Sequence, residues 1–409
     1  MSMHTACAAL LGAWLAAACA YQIAAQAALR RLLERGRRGA RPEHREVCGQ
    51  QSATSRPSAT LLRPLDSGDS MLEENLARLC SAGAPVLAGV DDAGSEAAAA
   101  ARRVASNQDA GRLRIVIASG MQGANRKIAK LVVMLKQASG DVFVFSDGDI
   151  AVPPSYLDSV LAPFADPRVA MVTCPYRSVG GRAVTTRLDV LLTNSGFLPS
   201  VALAERVEGV RFALGATIAI RRDVLEAIGG LEPLRDVLAD DWALSARVLR
   251  AGHVIVLATL LLDHHVDETG WRMLWRRHLR WARTVRTVRP GGYAGTLLAH
   301  GWAPALGLAV LCGGSMGAIG IGAYALARLG GVAANARDTG LTQRDLLLLP
   351  LVDALAMAFY LGGLAGRTVR WGRDRFHINP DGTIRPIGRI PIATSGTGAT
   401  EHAHSTPRA

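Results

Sequence analysis

Two carboxylates separated by one small residue, Asp147-Gly148-Asp149, follow the apolar run 142–145. An Asp-x-Asp at the mouth of a strand can hold a divalent cation together with the diphosphate that the cation neutralises. Gly148 lets the backbone turn sharply and come close to a ligand. On these residues Asp149 binds Mg2+ or Mn2+ bridging the phosphates of a nucleotide sugar, and Asp147 lies near the ribose or in the metal shell. The plain alternative is a solvated acidic loop. Asp91-Asp92 stands upstream after another apolar run; it contacts the uridine or ribose as donor-binding Asp92, or supplies the acids of a helix start before Ser95. Asp240-Asp241 precedes Trp242-Ala243-Leu244, so helix capping competes with catalysis. In the catalytic reading Asp241 by preference, with Asp240 beside it, is the general base that takes the acceptor hydroxyl proton. One base and one attacking hydroxyl imply direct displacement with inversion at the anomeric carbon.

Cations accompany these acids. Nearly every basic residue is arginine, and the only lysines, Lys127, Lys130 and Lys136, stand close together. They read either as a solvated helix face or as a compact charge meeting a phosphate or sugar oxygen, with Lys127 on the donor. In 271–288, Trp271, Leu274, Trp275, Ala282 and Val285 recur at helical spacing with arginines between them, which predicts an amphipathic helix at a membrane interface. Arg277, Arg280 and Trp281 share one face of it and could close over the donor diphosphate, with Trp281 stacked on acceptor or sugar. Arginines reaching for lipid phosphates are the competing account. His264-His265 reads as structural or solvated, with metal ligation as the alternative.

The elements that must position these groups follow from pattern. Apolar runs at 85–90, 113–118, 142–146, 169–174 and 212–221 alternate with helical stretches at 71–81, 95–106 and 127–139. That alternation predicts an α/β fold with a mostly parallel sheet covered by helices, and ligands beyond the carboxyl ends of its strands. The predicted organisation is a transmembrane anchor at 1–29, a basic polar linker at 30–59, a cytosolic catalytic domain at 60–270, the amphipathic helix at 271–290, transmembrane segments within 296–366, and a basic cytosolic tail at 367–409 whose end is disordered. Two crossings, one in 297–329 and one in 346–364, are favoured; a third crossing, or a tight hairpin in the first stretch, is the alternative.

The chain has 409 residues and a formal charge of +12, with mean hydropathy +0.19 and a pI near 10.1. Arginines crowd beside the apolar stretches, at 30–38, 272–289 and 367–375, so the positive-inside rule accounts for the excess and no nucleic-acid partner is expected. Six cysteines show no C-x-x-C and no clustering, which speaks against a zinc site or a disulfide framework and fits a reducing, cytosolic face.

Over roughly 60–371 the chain resembles the ceramide glucosyltransferase family of membrane glycosyltransferases. Leu62-Arg63-Pro64-Leu65 and Glu74-Asn75-Leu76 are similar to its "KPL…ENL", Gly123-Ala124-Asn125-Arg126-Lys127 to its "GxNPK", Ser146 to Ile150 to its "DSDI", Ala239-Asp240-Asp241 to its "AEDY", and Arg277 to Trp281 to its (Q/R)xxRW. Arg126 stands where the family has Pro. The resemblance implies a GT-A type fold, Asp92, Asp147 and Asp241 as the family aspartates, a UDP-sugar donor and a lipid hydroxyl acceptor. The tail Arg367 to Trp371 resembles the bacterial hopanoid-associated subgroup, which implies N-acetylglucosamine (or glucose) transfer to a hopanoid polyol at the bacterial inner membrane, with the catalytic domain facing the cytoplasm. Glucosylation of ceramide, a processive polysaccharide synthase and a catalytically inactive membrane scaffold are the competing readings.

Overall fold

The computed structural model describes residues 3–39, 57–66, 70–268, 270–372 and 374–389. Most of the linker, at 40–56, and the end of the tail, at 390–409, lie outside the described residues.

Strands β1 (Ala59–Pro64), β2 (Val86–Val90), β3 (Leu113–Ile117), β4 (Val142–Ser146), β6 (Val169–Thr173), β8 (Thr217–Arg221) and β9 (Val254–Leu257) form a 7-stranded sheet in the order β3-β2-β1-β4-β8-β6-β9. Only β8 runs against the others, pairing antiparallel with β4 and β6. The sheet is buried on both faces, so β4 can be a continuous apolar run, Val142-Phe143-Val144-Phe145, rather than an alternating one. Each such side chain contributes about 1.5–3 kcal/mol on burial. Helices α2 (Leu72–Cys80), α3 (Glu96–Ala105) and α5 (Tyr156–Leu161) cover one face; α4 (Arg126–Leu135), α8 (Arg222–Ala227) and α9 (Asp240–Arg250) cover the other. A mostly parallel sheet covered by helices on both faces is the α/β architecture that the alternation of apolar and helical stretches predicted.

A second, 3-stranded sheet sets β10 (Leu262–Val266) between β5 (Ile150–Ala151) and β7 (Tyr176–Gly180). Its register places His264 opposite Ile150, beside the acidic turn. Helices α6 (Val184–Leu192) and α7 (Leu198–Glu208) continue one another through a π-helical turn, Thr193–Phe197.

Helix α1 (Met3–Gly39) does not stop at the predicted anchor boundary but runs on through the arginine cluster. Its continuation is held by both halves of the chain: Arg35 pairs with Glu205 on α7 at 2.6 Å and Arg37 with Asp338, beyond the α/β unit, at 2.8 Å. After α10 (Trp271–Val288) and the short α11 (Pro290–Gly295), the stretch predicted to cross once is split into α12 (Trp302–Cys312) and α13 (Gly314–Ala325). Gly313 and Gly314 have φ of +57° and +51°, a left-handed backbone open to glycine, and the two helices pack against one another beyond that turn. Among the described residues, two helical stretches, Met3–Arg38 and Gly314–Thr339, are long and apolar enough to cross a membrane, and α12 with the segment before it makes a pair bent by 51°. The second predicted crossing is α16 (Leu349–Leu364), a shorter apolar helix, reached through α14 (Gly331–Thr339) and α15 (Gln343–Leu346). Buried Arg328 ties this region together, donating to Asp353 at 2.8 Å and to the Ser195 carbonyl at 2.7 Å, while Trp302 also donates to Asp353. A buried ion pair partnered on every side is tolerated where a lone charge would not be.

Beyond α16, where a basic tail is predicted, the chain builds an antiparallel sheet of β11 (Thr368–Trp371), β12 (Asp374–Ile378) and β13 (Ile384–Arg389). Val369, Phe376, Ile378 and Ile384 bury Leu238, and the Ile384 N–H donates to the Asp236 carbonyl at 2.6 Å. The apolar alternation in 369–384 was the available signal; the abundance of arginine masked it.

Candidate active site

Four charged side chains converge where β4, α4 and α9 end or begin. Lys127, in the first turn of α4, donates to Asp147 at 2.6 Å and lies 3.9 Å from Asp240. Gly215, in the loop before β8, lines the same space. A Cβ built there would lie 3.3 Å from Lys127 Nζ, 3.4 Å from Asp147 Oδ2 and 3.6 Å from Asp241 Oδ2. Glycine therefore leaves a small cradle open among one ammonium and two carboxylates. A Gly215→Ala variant is expected to keep its melting temperature but lose up to about 10²-fold in kcat/KM, the penalty that a misplacement of reacting groups by about 1 Å carries. Full turnover in that variant would show that the cradle is not the reacting centre.

Burial raises the Asp241 carboxyl to about 6, with Asp240 adding to the effect and Lys127 opposing it. Its Oδ1 accepts from the Trp242 N–H at 2.7 Å. A carboxylate near 6 is charged at neutral pH yet basic enough to accept a proton in flight. For Lys127, burial works against the charge, but Asp147, Asp240 and Asp241 together hold it protonated. Burial raises Asp147, with Lys127 opposing and Asp149 adding to the rise.

The acidic turn is braced from beneath. Fully buried Arg63 on β1 donates to Ser146 Oγ at 2.8 Å, to the Ile150 carbonyl at 2.9 Å and to the Asn75 carbonyl at 2.8 Å. Asn75 in turn donates to the Gly148 carbonyl at 3.3 Å. This gives the two early motifs a physical purpose: they fix the backbone that presents Asp147 and Asp149. Asn125 does the same for the opposite wall. It caps α4 through the Ile128 N–H and donates to the Val237 carbonyl at 2.9 Å, joining the Lys127 helix to the loop that leads into Asp240.

Asp149 faces His264, whose Nε2 is 3.1 Å from Asp149 Oδ2 and whose Nδ1 is 3.1 Å from Ser178 Oγ. Asn194 in the π-helical turn accepts from the Ser178 N–H and donates to the Ser178 carbonyl, so the imidazole orientation is held from behind. Although burial opposes it, His264 keeps Asp149 below the ordinary carboxylate range. Burial likewise opposes the charge on His264, but Asp149 raises it. His264 thus has a structural contact with the acidic turn through Asp149.

The predicted donor-binding residues divide. Asp92 is exposed and accepts from the Gly94 N–H at 2.6 Å, a local turn ahead of α3. Its neighbour Asp91 carries the ion pairs, with Arg126 at 2.9 Å and Lys130 at 3.3 Å. Lys130 is buried and also meets Asp66, so it is no solvated charge. On α10, Arg277 donates to Asp189 at 2.6 Å and His278 lies 2.9 Å from the same carboxylate. Asp189, on α6, is only 1% exposed and holds that face of α10 in place. Trp281 stands edge-on to His278 at 5.0 Å. Arg280 lies over the Trp371 ring at 5.5 Å; burial and Arg277 lower it to about 10, while Asp240 and Asp241 act in the opposite direction. The spacing therefore yields one cationic residue parked on a buried acid and one facing the carboxylates.

Tyr176, Asp189 and Gly215 escaped the sequence reading, and Trp371 entered it only as part of the tail resemblance. An acid inside the apolar run Leu188-Asp189-Val190-Leu191 was a usable sign. Tyr176, edge-on to His264 at 5.5 Å, and Gly215 carried none.

The family model described as Glycosyl transferase family 21 matches residues 10–384. The O-antigen biosynthesis protein RfbC of Myxococcus xanthus is 30% identical over 143 residues, which is 32% of this chain and 11% of that protein's length. Among solved structures, the mannosyltransferase PcManGT of Pyrobaculum calidifontis, in complex with GDP-Man and Mn2+, is 20% identical with a TM-score of 0.45, covering 86% of this chain and 97% of that one. Glucosyl-3-phosphoglycerate synthase of Mycobacterium tuberculosis is 15% identical with a TM-score of 0.37, over 59% and 81% of the two chains. Mannosyl-3-phosphoglycerate synthase of Rubrobacter xylanophilus is 17% identical with a TM-score of 0.35, over 58% and 75%.

Proposed function

Because the chain belongs to glycosyl transferase family 21 and is a glycosyltransferase, we propose that it moves a sugar from a UDP-sugar to a membrane-lipid hydroxyl with inversion, N-acetylglucosamine or glucose to a hopanoid polyol. The convergence of Lys127, Asp147 and Asp241 on the Gly215 cradle is the observation that carries this reading. Asp241 takes the proton of the acceptor hydroxyl as that oxygen bonds to the anomeric carbon, and the bond from this carbon to the diphosphate breaks as UDP leaves. Lys127 and Arg280 supply positive charge around the leaving group.

Asp147 and Asp149, with His264 beside them, fit a divalent cation. Among the described residues no three or more His, Cys, Asp or Glu side chains close into a cage. Mg2+ usually takes one or two carboxylates plus substrate phosphates, and Mn2+ accepts the same oxygen donors, so this open pair suits an ion brought in with the nucleotide. When bound, the ion neutralises charge on the diphosphate. The arginines that close α1 and those of α10 favour a cytoplasm-facing catalytic domain at the bacterial inner membrane.

Detergent-solubilised chain incubated with Mg2+ or Mn2+, a panel of UDP-sugars and either bacteriohopanetetrol or ceramide is expected to yield a glycosylated hopanoid detectable by mass spectrometry. A hexosyl-ceramide would move the acceptor to the sphingolipid class. No lipid product with any donor would defeat the reading.

A further inference from the structure

Arginines along α10 are mostly committed to the protein. Arg277 is held by Asp189, Arg283 donates to the Ala365 and Thr368 carbonyls, Arg286 to those of Leu364 and Gly366, and Arg289 to Glu208. Arg272 and Arg276, one turn apart on this helix, are not, and neither is Arg370 on β11. Among the described residues their side chains make no hydrogen bond or ion pair. They line one open groove of about 580 Å3 together with Trp271 and Trp275. Burial and then the like charges of Arg370 and Arg272 depress the Arg276 guanidinium, as happens when cations crowd without an acid between them.

The surroundings narrow the missing anion. Trp271 is 55% exposed and Trp275 42%, large rings on a helix packed against α16 through the Trp275–Phe359 contact at 5.0 Å. On α16 itself Leu351 and Leu361 are exposed. An apolar helix with open leucines, flanked by tryptophans and then by guanidiniums, reproduces the order of acyl chain, interface and phosphate across a leaflet. Side chains alternate along a strand, so β11 turns Trp371 toward Arg280 and Arg370 toward the groove, which separates this place from the donor site. We propose that the groove framed by Arg272, Arg276, Arg370, Trp271 and Trp275 binds the phosphate headgroup of an anionic membrane lipid. The inference rests on the membrane association proposed above, and not on which sugar or acceptor is used.

The test exposes the full chain in mixed micelles to equal amounts of phosphatidylglycerol and phosphatidylcholine and measures the lipid retained, with flotation on vesicles of the same lipids as a check of membrane association. Each arginine near an anionic surface is worth roughly fivefold in binding. The double variant Arg276→Gln/Arg370→Gln should therefore lose about twenty-fivefold of the phosphatidylglycerol preference, while Arg103→Gln/Arg114→Gln, on α3 and the edge strand β3 of the α/β unit, should keep it. Equal retention of both lipids by the unaltered chain, an undiminished preference in the double variant, or displacement of the lipid by inorganic phosphate or UDP would overturn the site. A chain that floats with neither vesicle overturns the membrane reading, and the headgroup site with it. Flotation with both vesicles but no lipid preference overturns the site alone.

Discussion

Asp241→Asn is expected to cut turnover by about 10²-fold or more while leaving donor binding in place. The substitution keeps shape and the acceptor oxygen for the Trp242 N–H, which lies 2.7 Å away. It removes only the ability to take a proton. A pH profile gives the same argument a second handle. With Asp241 raised to about 6, the basic form dominates above that pH, so kcat/KM should fall as pH drops through about 6, and the variant should lack this acid limb. Stability should move the other way. A carboxyl whose folded-state value is raised takes up its proton in the folded chain before the unfolded one as pH falls, so the ionised group weighs on the fold above about pH 6 and the load lifts below it. Asp241→Asn should accordingly melt at an equal or higher temperature at neutral pH. Unchanged turnover, or an acid limb that persists in the variant, removes Asp241 from the base role.

Asp149→Ala should weaken metal-dependent UDP binding by at least about 100-fold, at or above the range seen when groups that merely orient ligands are lost. Calorimetry with and without Mn2+ reads this independently of catalysis. His264→Ala, which removes the imidazole 3.1 Å from Asp149, should fall within about 10–100-fold. UDP affinity measured without metal should be the same in all three proteins, since neither side chain then has a cation to hold. If Asp149→Ala binds UDP with full affinity and still requires metal, the acidic turn is not the metal site.

Much of the α/β unit was legible because its signals are local. The runs at 85–90, 113–118 and 142–146 became β2, β3 and β4 nearly residue for residue; β2 and β4 are buried on both faces and so apolar throughout, while the edge strand β3 keeps enough apolar residues around Arg114 to be read. The short β7 and β10 were not, because Tyr176-Arg177-Ser178 and Asp263-His264-His265 carry polar side chains that serve the site rather than a core; β9 is apolar but only four residues long. Glycines at 313 and 314 marked the break between α12 and α13, but how those two helices lie against one another depended on helix packing.

By itself, the sequence determined the family, the order of the acidic motifs, and which strand ends carry them, since each is written in contiguous residues. Tertiary structure alone decided which charges meet. His264 reaches Asp149 across 115 residues, Arg277 is drawn to Asp189 across 88, and Gly215 lines the cradle between Lys127 and Asp241. Such pairings depend on strand register and helix packing between distant segments, and a charge desolvated by that packing takes whichever partner the fold brings within reach.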